Sequence, residues 1–219
     1  MSLKNIFLPQ QFHKFYKEYK GKNFTILDVG CGNHSAQKAK KWFKNCKYYG
    51  IDNISYNNTV DDFKLMEGFY NIDLIKDLER MNEISNSFFD VVICSHIIEH
   101  LPNGLMVLNI LSQKIKPTGK IYIEYPSVKS LSLPNMFGTL NFSDDSSHKR
   151  VYNIHEIANL LMENKFKIIK AGTRRIKLRI FSIPFVIAYH LIKNRRFVGT
   201  TFWDITGFAE YVYAEKINV

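Results

Sequence analysis

ILDVGCGNHS, running from Ile26 to Ser35, is the stretch whose reading decides the fold. The apolar run Phe24 to Val29 has the length and composition of a buried strand, and it breaks into a turn carrying Gly30 and Gly32. Glycine permits positive φ and leaves no Cβ in the way of an approaching ligand. A helical stretch follows from Ala36 to Phe43, and its start offers unbonded N–H groups at the positive end of the helix dipole. A Gly-x-Gly pair alone occurs in many turns; the carboxylate of Asp28, two residues before Gly30, is what discriminates. Pyrophosphate-binding turns usually complete a GxGxxG pattern, but here Ser35 stands three positions after Gly32. Asp28 would repel phosphate and welcome an ammonium group. A dinucleotide is not expected at this turn.

Working outward, short apolar runs alternate with helical stretches, the pattern of βαβ units on a parallel sheet. Expected strands are Phe24–Val29, Tyr48–Asp52, Tyr70–Leu74, Phe89–Cys94, Lys120–Tyr125, about 165–171 and about 208–217. Helices are expected over the first 20 residues, over 105–115 and over 154–164, with apolar residues at 154, 157, 160 and 161 on one face. Two segments interrupt the rhythm: a polar, Ser-rich loop at 126–150 and a basic stretch at about 174–206. Ligands of open α/β sheets sit beyond the carboxyl ends of the strands, so a long loop after the fifth strand is placed to help form a site.

The 219 residues fit one domain and bury enough surface to need no disulfide or metal for stability. Cys31, Cys46 and Cys94 are odd in number and lack the spacing of a zinc site, so reduced thiols in a cytoplasmic protein are expected and no metal is. The N-terminus has no signal-peptide core, and no run of 18 apolar residues exists to span a membrane. The net charge of +10 is local: ten Lys or Arg and no acid lie between Asn164 and Trp203, leaving 20 basic against 20 acidic residues elsewhere.

Asp52 ends YYGID, 20 residues after Gly32, a spacing suited to a carboxylate that accepts both hydroxyls of a ribose. With DVGCG, YYGID, FFDVVICSHIIEHL and KPTGKIYIEYPS in this order, residues 24–170 resemble the class I S-adenosylmethionine-dependent methyltransferases. The resemblance implies an α/β fold: a seven-stranded, mostly parallel Rossmann-like sheet with a reversed last strand and helices on both faces. It implies S-adenosylmethionine as cofactor, with Asp28, Gly30, Cys31 and Gly32 facing its methionine part and Asp52 with Asn53 its ribose. The adenine amine would face Asp73 with Leu74, or Asp77 with Leu78; Ser95 and His96 would line the cofactor beyond the fourth strand. One departure is His34, where the family often has a third glycine; no catalytic role is expected of it.

The acceptor is less constrained. Methyl transfer is in-line displacement at a sulfonium, and alignment of the acceptor contributes roughly 7–11 kcal/mol. A base is needed only where the acceptor loses a proton. His148, in SSHKRVYNIHEIANLL, resembles the family stretch where a His precedes a basic residue and an aromatic, and it is the first candidate. His100 and Glu99, in IIEHL, come second, and Tyr125 is a candidate for orienting the acceptor. His13 and His155 are read as exposed or capping. Cys94-Ser95-His96-Ile97 stands where base-amine methylation would show an Asn/Asp-Pro-Pro-aromatic stretch, and no Cys follows a Pro, which argues against base C5 methylation.

A hydroxyl of a sugar or similar metabolite, nucleotide- or lipid-linked, is the expected acceptor. The rivals are an RNA ribose methyltransferase, prompted by the pI of about 9.4, and a silent adenosine-binding module. The insertion at 174–206 carries thirteen mostly apolar residues, Ile180 to Ile192, between basic flanks. It reads as a lid or dimer-contact helix, an interfacial segment resting on the anionic inner face of a membrane, or a dock for an anionic substrate.

Overall fold

The protein is described by a computed structural model covering residues 8–53 and 57–218. Seven strands form one sheet: β1 Phe24–Val29, β2 Cys46–Asp52, β3 Gly68–Asn71, β4 Phe89–Ser95, β5 Ile115–Pro126, β6 Phe166–Thr173 and β7 Ala209–Lys216. Their spatial order is β3-β2-β1-β4-β5-β7-β6. Every neighbouring pair from β3 to β5 is parallel, and β7 runs antiparallel to both β5 and β6. The expected sheet with its reversed last strand is therefore present.

Successive side chains of a strand point to opposite faces, so a doubly covered sheet needs both sets apolar. Leu27, Val29, Val92, Cys94, Ile121 and Ile123 pack on one face against residues of α5 (Gly104–Lys114) and α6 (Ile154–Glu163). Ile26, Tyr48, Val91, Ile93 and Tyr122 pack on the other, with Phe43 and an N-terminal aromatic group of Phe12, Phe15 and Tyr16. Tyr125 is wholly buried in the first face with its ring 6.3 Å from Tyr152. It is a core aromatic.

Three boundaries differ from expectation. The N-terminal helix, of which residues 1–7 lie outside the described residues, is two single turns, α1 Gln10–His13 and α2 Tyr16–Tyr19. Across the break between them, Phe12 and Phe15 both reach Phe43, at 5.3 and 5.4 Å between ring centres. The third strand is earlier than Tyr70–Leu74, because Asp73 draws the backbone N–H groups of Ile75 and Lys76 into a turn. Pro117 and Gly119 lie within β5, which is irregular at its start: the pairing with β4 shifts register between Phe89 and Val91.

The glycine turn leads into α3 (Ser35–Trp42), and α4 (Val60–Lys64) follows β2. The insertion is a long helix, α7 Lys177–Asn194 with Pro184 inside it, then a 3-10 turn at Gly199–Phe202 and the short α8 Trp203–Thr206.

Candidate active site

The carboxyl ends of β1, β2, β3, β4 and β5 open on one edge, with β1 and β4 adjacent where the strand order reverses, the usual place for a ligand. Asp28, the last residue but one of β1, has its side chain buried, and Tyr48 donates a hydrogen bond to it over 2.8 Å. Burial disfavours the charged form and pushes this carboxyl up to about 7, although the Tyr48 bond and Lys38 pull the other way. Asp28 is thus a latent anion that a cation would complete.

Gly30 has φ +76°, and a Cβ built there would lie 3.1 Å from Cδ1 of Ile97. The turn therefore both needs left-handed backbone and abuts the chain leaving β4. Asn33 and His34 continue it at positive φ before α3 begins. His34 Nδ1 lies 2.7 Å from the buried carboxylate of Asp62 in α4, so the side chain clamps turn to helix. Cys31 turns its thiol into the core behind Gly50, while its N–H bonds to Ile51 O and its carbonyl accepts from Asn58. The Gly32 carbonyl accepts from Ser35 Oγ at 2.7 Å.

Asp52 ends β2 and accepts from the N–H of Asn53 at 2.9 Å. Asp73 lies just past β3, its carboxyl held below the ordinary range by the N–H groups of Ile75 and Lys76 and by the Asn53 side chain. Asp77 instead heads the next 3-10 turn, Leu78–Glu83. Leu74 is a core side chain.

Beyond β4 the chemistry changes. His96, at φ +54°, sets Nδ1 3.2 Å from Glu99 Oε1 and Nε2 2.9 Å from Glu124 Oε1. Carboxylates only accept, so both ring nitrogens donate and the ring is an imidazolium. Burial works against that charge, but Glu124 and Glu99 hold the imidazole up at about 9. Glu124 in turn receives Arg174 at 2.7 Å and Tyr122. Burial would raise its carboxyl, yet His96 and Arg174 keep it at about 2. Arg174 also reaches Asp204 at 3.3 Å, and Trp203 lies 4.9 Å from the His96 ring. This buried chain of charges ties β4 and β5 to the insertion. Sequence reading put His96 just beyond β4 but gave no sign of its partners, which lie up to 108 positions away in the chain.

The 126–150 loop is fixed from within and from both sides. Asp144 accepts the N–H groups of Met136, Leu140 and Asn141, and Thr139 accepts from Trp203 of the insertion at 2.6 Å. The N–H groups of Lys149 and Arg150 bond to Glu99 O, drawing the loop's end onto the 3-10 turn Ile98–His100. His148 and His100 thereby meet, ring centres 4.9 Å apart. A cavity of about 110 Å³ lies beside them, lined in part by His96, Glu99, Asp145 and Trp203. His148 Nδ1 lies 2.6 Å from the carbonyl of Phe142, which can only accept, so Nδ1 carries a proton, while Nε2 lies 3.9 Å from Asp145 Oδ2. The two candidate histidines, 48 residues apart, belong to one constellation.

Comparison with known proteins decides the class: a family model described as "Methyltransferase domain" matches residues 7–171. The chain belongs to this methyltransferase family. The family is that of the class I S-adenosylmethionine-dependent methyltransferases, and S-adenosylmethionine is its cofactor. Among curated relatives, the ubiquinone biosynthesis O-methyltransferase of Dechloromonas aromatica is 28% identical over 99 residues, 45% of this chain and 42% of that one. The chain thus spans less than half the length of the curated relatives it matches.

Among solved structures, a SAM-dependent methyltransferase from Archaeoglobus fulgidus aligns with TM-score 0.60 at 20% identity, covering 94% of this chain and 91% of the other. Phosphoethanolamine N-methyltransferase 2 of Haemonchus contortus, in complex with S-adenosyl-L-methionine, aligns with TM-score 0.62 at 14% identity, covering 95% and 52%. These two establish the fold.

The residues of the turn fit the family's cofactor on structural grounds. The buried carboxyl of Asp28, bonded by the neutral Tyr48 hydroxyl, could take an ammonium, and the left-handed Gly30 leaves no Cβ in the way of a ligand.

Proposed function

We propose that the chain methylates a hydroxyl group of a small-molecule acceptor. S-adenosylmethionine, when bound, supplies a methyl group on a sulfonium whose departure leaves a neutral thioether. In this reading Asp28 and the Gly30–Gly32 turn hold the methionine end and Asp52 with Asn53 the ribose. Asp73 is favoured over Asp77 for the adenine amine because it stands against Asn53.

The observation that carries the reading is the arrangement of His148. Its Nδ1 is committed to Phe142 O, its side chain is 5% exposed, and its Nε2, 3.9 Å from Asp145 Oδ2, borders the space in which an acceptor hydroxyl would shed its proton as the new O–C bond forms. His100 and Glu99 border the same space. The O-methyltransferase relatives support oxygen as the accepting atom. The test is methyl transfer to a panel of hydroxyl acceptors (nucleotide-linked sugars, sugars on lipid pyrophosphates, phenols) against an amine panel and RNA, for wild type and His148→Asn. Hydroxyl methylation with kcat reduced at least 100-fold in the variant is expected. Turnover restricted to amines, or an unimpaired variant, overturns the reading.

A second reading concerns α7. None of its residues is buried, and Leu178, Phe181, Phe185, Tyr189 and Ile192, spaced three or four apart, form an outward apolar stripe. Phe181, Phe185 and Ile192 are 77%, 79% and 84% exposed. Arg175, Lys177, Arg179, Lys193, Arg195 and Arg196 flank it. Such a helix suits the surface of an anionic membrane, which would bring the chain to a lipid-linked acceptor. The opposite side, through Arg179, Ser182, Val186 and His190, lines a cavity against Thr200, Thr201 and Asp204. Among the described residues no helix is long and apolar enough to cross a membrane.

A further inference from the structure

The geometry points to a divalent-cation site made by Glu99, His100 and His148. One ligand atom from each can be chosen so that all lie within 4.8 Å of one another. Each of the three also has its other atom occupied, as ligands of a built metal site do. His148 Nδ1 donates to Phe142 O. His100 Nδ1 faces Ser147 Oγ at 2.9 Å, and because Ser147 gives its own proton to Asp145, the imidazole must donate, leaving Nε2 with a lone pair. Glu99 Oε1 is taken by His96, while Oε2 is buried with no hydrogen-bond partner.

Glu99 is 1% exposed, and a buried carboxylate oxygen without a partner costs free energy that a cation would recover. The three lone-pair donors are thus pre-oriented by separate parts of the fold: a 3-10 turn, a loop and a strand-end histidine. Two imidazoles and one carboxylate are a recurring set for Zn²⁺, Fe²⁺ or Mn²⁺ that leaves coordination positions open. The open side faces the cavity that the preceding reading gives to the acceptor.

The site stands on geometry; its task rests on the hydroxyl reading. A cation there would draw in the acceptor oxygen and lower the pKa of its hydroxyl; His148 then serves the reaction as a ligand of the cation, and the proton passes to solvent. An acceptor with two adjacent oxygens, a vicinal diol or a catechol, would fill two open positions at once.

The test is titration of Co²⁺ into the full chain, followed by its visible absorption and by calorimetry. One equivalent is expected to bind, and His100→Ala and His148→Ala are each expected to weaken binding at least tenfold. Glu99→Gln, which keeps the shape of the buried side chain, should do the same, whereas His155→Ala on the exposed start of α6 should not. Thermal melts of the variants show that folding is intact. Absence of Co²⁺ binding by wild type, or binding equal to wild type in the folded histidine variants, overturns the site. Because binding is read without acceptor, Co²⁺ bound with no hydroxyl methylation sinks the hydroxyl reading alone. Hydroxyl methylation that persists in chelator, with no Co²⁺ bound, sinks the site alone.

Discussion

The hydroxyl of Tyr48 donates to the carboxylate of Asp28 across 2.8 Å, with both side chains buried on adjacent strands. The bond explains how a carboxyl pushed up to about 7 by burial is tolerated at the mouth of a site: it is satisfied whether or not it is charged. It also fixes where the charge must go when a cation arrives.

From that follows a pH dependence. The ordinary Asp pKa of 3.8 is raised in the folded chain, so between about pH 4 and 7 the unfolded state loses a proton that the folded state keeps. The stability this confers is complete below pH 4 and fades as pH rises through 7. Ligand binding has the opposite slope, because an ammonium pairs with the ionised form. Affinity for S-adenosylhomocysteine is expected to rise from about pH 5.5 to about 7.5, approaching tenfold per unit, and then level off. Calorimetry across pH should show this in wild type and a weak, flat profile in Asp28→Asn. A flat profile in wild type would remove Asp28 from the cofactor contacts.

Gly30→Ala forces a Cβ into left-handed backbone and to 3.1 Å from Ile97. A loss of about 1–2 kcal/mol is expected from the backbone alone. Chemical denaturation with and without S-adenosylhomocysteine should show lower stability and a smaller ligand-induced gain. Stability equal to wild type would mean the turn relaxes freely.

How much of this was legible in sequence depends on the range of the interaction. The Asp28–Gly30 turn and Asp52 were readable because strand, turn and spacing lie within 30 residues and obey local rules. The sheet was readable because its strands are nearly continuous apolar runs between turn signals. Tyr125, a candidate for the acceptor side, packs against Tyr152 in the core, a contact set by tertiary structure alone. The meeting of His100 with His148 depends on backbone bonds from Lys149 and Arg150 to Glu99, and no spacing encodes them. The same is true of Arg174, which counts as one basic residue among seven in the insertion until the fold places it between Glu124 and Asp204.

Arg174→Gln leaves Glu124 with His96 and Tyr122 but without its guanidinium, and Asp204 short of a partner. Breaking a buried ion pair typically costs about 3–5 kcal/mol, and a loss in that range is expected in urea denaturation. Arg174→Lys should recover only part of it, since one ammonium cannot serve two carboxylates in a forked geometry. A loss below 1 kcal/mol would show that the chain of charges is not what joins the insertion to the sheet.

For α7, Phe181→Asp with Phe185→Asp is expected to abolish co-sedimentation with phosphatidylglycerol vesicles while leaving the melting temperature within about 2 °C, because both residues face solvent. Wild type should not sediment with phosphatidylcholine vesicles. Equal sedimentation of wild type and variant, or a concentration-dependent dimer that the variant dissolves, would assign the stripe to another surface.

The most direct measurement is titration of S-adenosylhomocysteine into wild type and Asp52→Ala by calorimetry. The site at the carboxyl ends of β1 and β2 predicts one bound molecule in wild type and at least tenfold weaker binding in the variant, from loss of the contacts to both ribose hydroxyls. No binding by wild type, or equal binding by both, would contradict it.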